Sequence, residues 1–194
     1  MQINSQSDLK YFIQADVRSM GMILSFKNVL FDPLLRFVLI SRYLEYVVNT
    51  KKSIFILMIV KFFYRRLSIR LGFSLGPNIF GPGLAIVHYG LLIIDPTTRI
   101  GKNCRIHMGV HIGGTAHFVA PGTEHLYSPR IGDNVYIGPG AKIYGPVKIG
   151  CNCVIGANAV VTHSFEGDGL TIAGVPAKII AKGGSGERVL KGAS

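Results

Sequence analysis

An aliphatic residue recurs every six positions through the second half of this chain. Ile94, Ile100, Ile106 and Ile112 form one series, and Ile131, Ile137, Ile143, Ile149, Ile155 and Val161 form another. A fixed short period constrains the fold more than composition does, because every repeat must be the same structural unit. Six residues supply one short flat strand and a turn. Three such units close one coil of a β-helix, with the aliphatic side chain pointing inward. A second register supports this reading. Four residues after the aliphatic positions stand small or β-branched ones: Thr98, Cys104, Val110, Ala116, Val135, Ala141, Val147, Cys153 and Ala159. Each coil buries its inner side only against its neighbours, so the array is stable only when several coils stack.

The period breaks once. Ile112 and Ile131 lie nineteen residues apart, and one hexapeptide accounts for six of them. The remaining thirteen form an excursion over about 115–130, rich in His, Gly and Pro. A loop that interrupts a solenoid projects from it, and such loops tend to carry function. The domain plan expected is a helical region over 1–71, a β-helix over 72–181 with that projecting loop, and a flexible tail over 182–194.

Residues 1–71 read as three helices. One runs from about Asp8 to Met20 after Ser7. The second starts at Asp32-Pro33, with Asp as cap and Pro in the first turn, and continues to about residue 48. The third runs from about Ser53 to Leu71 and stops at Gly72. Its most apolar run, Ile54–Val60, is well short of the ~20 residues that span a bilayer.

The formal net charge is +11. Residues 1–70 carry eleven Lys and Arg against four Asp and Glu. A basic surface calls for an anionic partner such as a phosphorylated cofactor. No nucleic-acid motif is visible, so nucleic acid is not expected. Three cysteines make no even disulfide set, and Cys104 and Cys153 fall on inward positions as small apolar residues. The polar N-terminus shows no secretory signal, and the expected location is cytoplasmic. His107 and His111 have no acidic or thiol partner close by in sequence, so they are read as structural and no metal is expected.

Several segments together carry a family resemblance: Gly81–Gly90 (GPGLAIVHYG), Ile106–Thr115 (IHMGVHIGGT), Pro129–Gly145, Ile155–Val161 and Ala173–Ile180 (AGVPAKII). Over about residues 72–181 the chain resembles the hexapeptide-repeat acyltransferases, in the serine acetyltransferase-like branch. The resemblance implies a left-handed parallel β-helix preceded by helices. It implies a homotrimer or a dimer of trimers, acetyl-CoA as acyl donor, and a histidine as general base. The matching residue is His88. For the donor, the resemblance points to Gly113, Gly114, Thr115, Gly140, Ala141, Gly156, Ala157 and Lys178. For the acceptor, the candidates are Tyr89 beside the base, Asp95, and His125 and Tyr127 in or near the projecting loop.

The departures lie on the acceptor side. Val87 stands where the family has an aspartate before the base. Tyr127-Ser128 replace an Arg-His pair, and Phe73 stands in place of the aspartate that orients the base. On this ground the acceptor expected first is a sugar hydroxyl in bacterial surface polysaccharide synthesis, with the basic helices docking at the inner membrane face as a further option. Serine, in cysteine biosynthesis, is the alternative acceptor.

Overall fold

The computed structural model describes residues 2–114 and 127–186 of the 194-residue chain. The chain opens with α1 (Gln6–Ser19), α2 (Phe26–Phe31), α3 (Pro33–Asn49) and α4 (Ile54–Leu71). Two helix ends follow the sequence signals directly. Asp32 caps α3 by accepting from the Leu35 N–H at 2.8 Å, and Pro33 fills the first turn. Gly72 ends α4 in the left-handed region, φ 78°, where a Cβ would be strained. The cap of α1 is Ser5 and not Ser7. Ser5 accepts from the Asp8 N–H while Asp8 reaches back to the Ser5 N–H, a reciprocal capping box. The short α2 was not anticipated; Ser25 caps it.

The prism follows: β1 (Phe73–Ser74), β2 (Ala85–Ile86), β3 (Leu92–Ile94), β4 (Arg99–Ile100), β5 (Arg105–Ile106), β6 (His111–Gly113), β7 (Arg130–Ile131), β8 (Tyr136–Ile137), β9 (Lys142–Tyr144), β10 (Lys148–Ile149), β11 (Val154–Ile155), β12 (Val160–Val161), β13 (Leu170–Ala173) and β14 (Lys178–Lys182). They pair into three faces with the orders β1-β3-β6-β9-β12, β4-β7-β10 and β2-β5-β8-β11-β13-β14. Every pairing is parallel except β13 with β14. The chain visits the six-stranded, five-stranded and three-stranded faces in turn, so equivalent hexapeptides stack in register: Ile86, Ile106, Ile137 and Ile155 form one column.

All ten aliphatic repeat positions are buried, none more than 6% exposed. Of the small positions, Thr98, Cys104, Val110, Val135, Ala141, Val147, Cys153 and Ala159 are buried too, and Ala116 lies outside the described residues. Burial pushes the Cys104 and Cys153 thiols up, as suits inert packing sulfurs. One corner is tied by an amide ladder: Asn103 donates to Asn134 at 2.9 Å, and Asn134 to Asn152 at 3.0 Å. These three asparagines have φ between 54° and 57°, a region that asparagine tolerates better than most residues.

Two boundaries move. The excursion ends before 130, because Arg130 is in β7 and Pro129 already accepts from the Arg99 N–H. The tail does not come loose at 182: Ser185 is buried, its N–H donates to Asn152 at 2.8 Å and its hydroxyl donates to the Asn134 carbonyl.

The helices are locked onto the first coil by a buried ionic cluster. Arg42 donates to Asp16 at 2.7 and 3.3 Å and to Glu45 at 2.9 Å. The same guanidinium donates to the Phe80 and Gly81 carbonyls at 2.9 and 2.8 Å. Asp16 accepts from the Gly83 and Leu84 N–H groups, both at 2.8 Å, and Glu45 from the Asn78 N–H at 2.9 Å. Burial alone would lower the Arg42 pKa, but the two carboxylates outweigh it and hold the guanidinium firmly charged. Burial pushes the Glu45 carboxyl up, with Arg42 opposing. All three residues are at most 3% exposed.

Candidate active site

His88 follows β2 at the corner where the chain passes from the six-stranded to the five-stranded face. The Ala85-Ile86 strand pairs with Arg105-Ile106, which sets His88 beside His107 on the next coil, with ring centroids 6.1 Å apart. His107 in turn lies 5.0 Å from the Tyr136 ring. His88 and Tyr89 are exposed, while His107 is half-buried. Among the described residues nothing hydrogen-bonds the His88 ring. Phe73, expected at the position of an orienting aspartate, is a core residue instead; its ring packs edge-on against Phe37 at 4.9 Å.

The same corner carries much of the expected donor set. Above His88 and His107 come Gly138-Pro139-Gly140, then Gly156-Ala157, since Ile106, Ile137 and Ile155 are stacked partners. Gly140 has φ 73°, and a Cβ there would meet the Asn158 side-chain oxygen at 2.1 Å, so only glycine fits. Lys178 closes the row: it pairs with Ala173, whose Cβ would lie 2.9 Å from a Cβ on Gly156. The Ala141 side chain is fully buried in the prism, because it occupies the inward small position, so only its backbone faces the groove side.

The remaining candidates gather at the next corner, between the five-stranded and three-stranded faces. Asp95, Gly113 and Tyr144 are successive members of one column. Asp95 accepts from the Thr97 N–H at 2.8 Å, from the Thr97 hydroxyl, and from the Ser128 hydroxyl at 3.3 Å. Gly114 sits against Tyr127 and Ser128; a Cβ there would be 3.2 Å from both residues. Sequence reasoning named Asp95 and Tyr127, treated Ser128 only as part of a departure from the family, and passed over Thr97. The signal was present in Asp95-Pro96-Thr97, a turn in which a carboxylate bonds the backbone two residues on. Thr115 and His125 lie outside the described residues. Thus one prism carries the histidine and one part of the donor set on one corner, and Asp95, Tyr127, Gly113 and Gly114 on another.

His107 and His111 are both held below the ordinary imidazole pKa. Burial is the main cause for each, with Arg105 and His88 adding at His107 and Lys142 at His111. Each also has a buried Nε2 with no hydrogen-bond partner. The unfolded chain therefore takes up protons on these groups before the folded one does, and stability falls as pH drops through the unfolded value near 6.5. Thermal melts between pH 7.5 and 5.5 should show a falling Tm, and the double variant His107→Gln/His111→Gln should flatten that slope. Among the described residues no three His, Cys, Asp or Glu side chains come together as a metal site.

Residues 128–163 match the family model described as bacterial transferase hexapeptide (six repeats). With the three-faced parallel coil, this defines the protein class: a hexapeptide-repeat transferase fold, a left-handed β-helix with N-terminal helices. Proteins similar to it include serine acetyltransferases, in sequence and in structure. The serine acetyltransferase of Staphylococcus xylosus is 37% identical over 123 residues, covering 63% of this chain and 51% of that protein. That of Synechococcus elongatus is 36% identical over 104 residues, covering 54% and 40%. The chain thus spans about half the length of the curated relatives it matches. Among solved structures, serine acetyltransferase of Neisseria gonorrhoeae superposes with a TM-score of 0.72 at 25% identity, covering 91% of this chain and 67% of that one. The Brucella abortus enzyme in complex with coenzyme A gives 0.71 at 27% identity, covering 92% and 68%. The Neisseria gonorrhoeae enzyme in complex with serine gives 0.69 at 25% identity, covering 89% and 69%.

These findings overturn the first expectation for the acceptor. The relatives and neighbours are serine acetyltransferases and not sugar O-acetyltransferases, so a polysaccharide acceptor is withdrawn. The expectation rested on reading acceptor groups at fixed offsets from the base. Polar groups at the second corner come from two coils, and an offset along the chain does not reveal them.

Proposed function

We propose that this protein is an acetyl-CoA-dependent serine O-acetyltransferase with His88 as general base. The observation that carries this reading is the row formed by His88, Gly140, Gly156-Ala157 and Lys178 along one corner of a prism whose relatives are serine acetyltransferases. Strands are about 4.8 Å apart, so three steps separate the His88 coil from the Ala157 coil by roughly 14 Å. An extended pantetheine arm covers that span along small residues, with its thioester toward His88 and its phosphates toward Lys178. The imidazole takes the serine hydroxyl proton as the oxygen attacks the thioester carbonyl. Backbone N–H groups of the glycine turns stabilise the oxyanion. The C–S bond then breaks, and the leaving CoA sulfur takes the proton from His88.

Because the candidates divide between two corners, a complete site needs a second prism to bring Asp95, Tyr127 and the Gly113-Gly114 pair opposite His88. A homotrimer supplies this arrangement. The outward side of α4 offers assembly surface, since Phe55, Met58, Ile59, Phe62 and Phe63 are exposed in the single chain. Asp95 is the group suited to a substrate ammonium. No helix among the described residues is long and apolar enough to cross a membrane, and acetyl-CoA as donor places the reaction in the cytoplasm.

The test is thiol release from acetyl-CoA with L-serine as the sole added acceptor. Saturable, serine-dependent release is expected. Absence of release at millimolar serine, in protein that acetyl-CoA still stabilises against heat, would overturn serine as the acceptor.

A further inference from the structure

A general base must present one particular ring nitrogen to the substrate hydroxyl, and the hydrogen bond made by the other nitrogen decides which one is free. His88 is exposed at its corner, and Val87 before it has no polar side chain to hold the ring. The ring beside it is a second imidazole. Val87 donates its N–H to the Ile106 carbonyl at 3.1 Å, which draws the His88 coil against the end of the strand that leads into His107. The two ring centroids are 6.1 Å apart, with the planes tilted by 59°. Asp95 stands on the next corner and is engaged by Thr97 and Ser128, so within one prism it does not serve His88.

His107 is itself held in place. Its backbone N–H donates to the Ile137 carbonyl at 3.2 Å. The Tyr136 ring on β8 packs against it at 5.0 Å. Tyr136 is the register partner of Arg105, two residues before His107, and such diagonal neighbours on one face are within reach of aromatic side chains. The charged groups acting on His107 are Arg105, on its own strand, and His88, on the neighbouring coil. Burial first, and then these two, hold His107 below the ordinary imidazole pKa. The ring is therefore neutral at neutral pH, with one nitrogen a donor and the other an acceptor. Its Nε2 is buried without a hydrogen-bond partner among the described residues. A buried polar atom left unpaired costs stability, and in a native structure it calls for an explanation.

We propose that His107 is a positioning residue for His88, its neutral ring accepting an N–H from the His88 imidazole. The pairing leaves the second His88 nitrogen bare and aimed at the substrate hydroxyl. When His88 takes the hydroxyl proton, the imidazolium keeps His107 as its acceptor, so the charge forms beside a dipole already in place. No proton passes to His107; His88 returns its own to the leaving CoA sulfur. Catalytic hydrogen bonds are often long before substrate binds and tighten in the Michaelis complex, which suits rings that stand side by side without yet touching. This pairing rests on the reading of His88 as the base.

The experiment is steady-state kinetics of serine-dependent CoA release across pH for the wild type, His107→Phe, His107→Gln and His88→Ala. His107→Phe keeps a flat ring against Tyr136 but cannot accept a hydrogen bond. It should lower kcat about tenfold or more, a part of the effect of the base itself, with KM for acetyl-CoA near the wild-type value. The acid limb of kcat/KM should move to lower pH by about one unit, because a base whose charged form has lost its acceptor holds its proton less tightly. His107→Gln, whose amide oxygen accepts, should recover much of kcat and return the limb toward the wild type. In the wild type, nitrogen-15 NMR of the histidine rings should show His88 and His107 titrating as a coupled pair. An unreduced kcat in His107→Phe, beside an inactive His88→Ala, would overturn the proposal and leave the base assignment standing. So would a fall in kcat with an unmoved acid limb, the mark of a packing role alone, or independent titration of the two rings. Near-normal turnover in His88→Ala would instead overturn the base reading on which the pair depends.

Discussion

Replacing His88 by alanine lowers serine-dependent CoA release by at least about a hundredfold, the usual scale of general-base catalysis. Acetyl-CoA binding, read as the thermal shift produced by the donor, stays near the wild-type value. The split follows from where the histidine sits. His88 is an exposed corner residue outside the prism's inner core, so its loss removes a proton acceptor without opening a cavity. The glycine turns and Lys178 stand on other coils and are untouched. His88→Gln keeps much of the ring's size and polarity but cannot take the proton, so it should be as inactive as the alanine variant. A variant that retains near-normal turnover would show that another group accepts the proton, and the nearest ring, His107, would become the candidate.

Arg42→Ala has the largest expected effect on stability. Removing the cation leaves Asp16 and Glu45 as buried carboxylates facing each other without a counter-charge, a change that typically costs about 3–5 kcal/mol. The Phe80 and Gly81 carbonyls lose their donors at the same time. Chemical denaturation should show a large drop in midpoint. Because the cluster holds residues 78–84, which lead directly into β2 and His88, turnover per folded molecule should also fall. Arg42→Lys should recover only part of the loss, since an ammonium has three donors and cannot reproduce a planar fork that bonds two carboxylates and two carbonyls. Stability within about 1 kcal/mol of wild type for the alanine variant would mean the cluster contributes little to the native state.

Both the fold and its limits were legible in particular residues. The period-six isoleucines specify the prism because only a coil with a corner at each repeat brings all of them inside together. Asp32-Pro33 and Gly72 marked helix ends because capping is local chemistry. The corner proposed for catalysis was half legible: His88, Gly140 and Gly156-Ala157 stood out as motif residues, and stacking places them in one row. Ala141 satisfies both a motif and an inward position, and its burial shows that the side chain serves the inward one.

Asp16, Arg42 and Glu45 stood unremarked within apolar helix faces. Charges inside an apolar stripe hint that a partner exists but do not name it. The contacts they make bridge from 3 up to 68 residues of sequence. Asp95 and Ser128 are 33 residues apart. Arg99, Arg130 and Lys148 likewise stand side by side on β4, β7 and β10 only because the coil stacks in register. A repeat encodes what each residue does within its own coil, since that depends on near neighbours along the chain. Which residues from different coils and helices meet depends on how the chain closes in space, and the tertiary structure decides that.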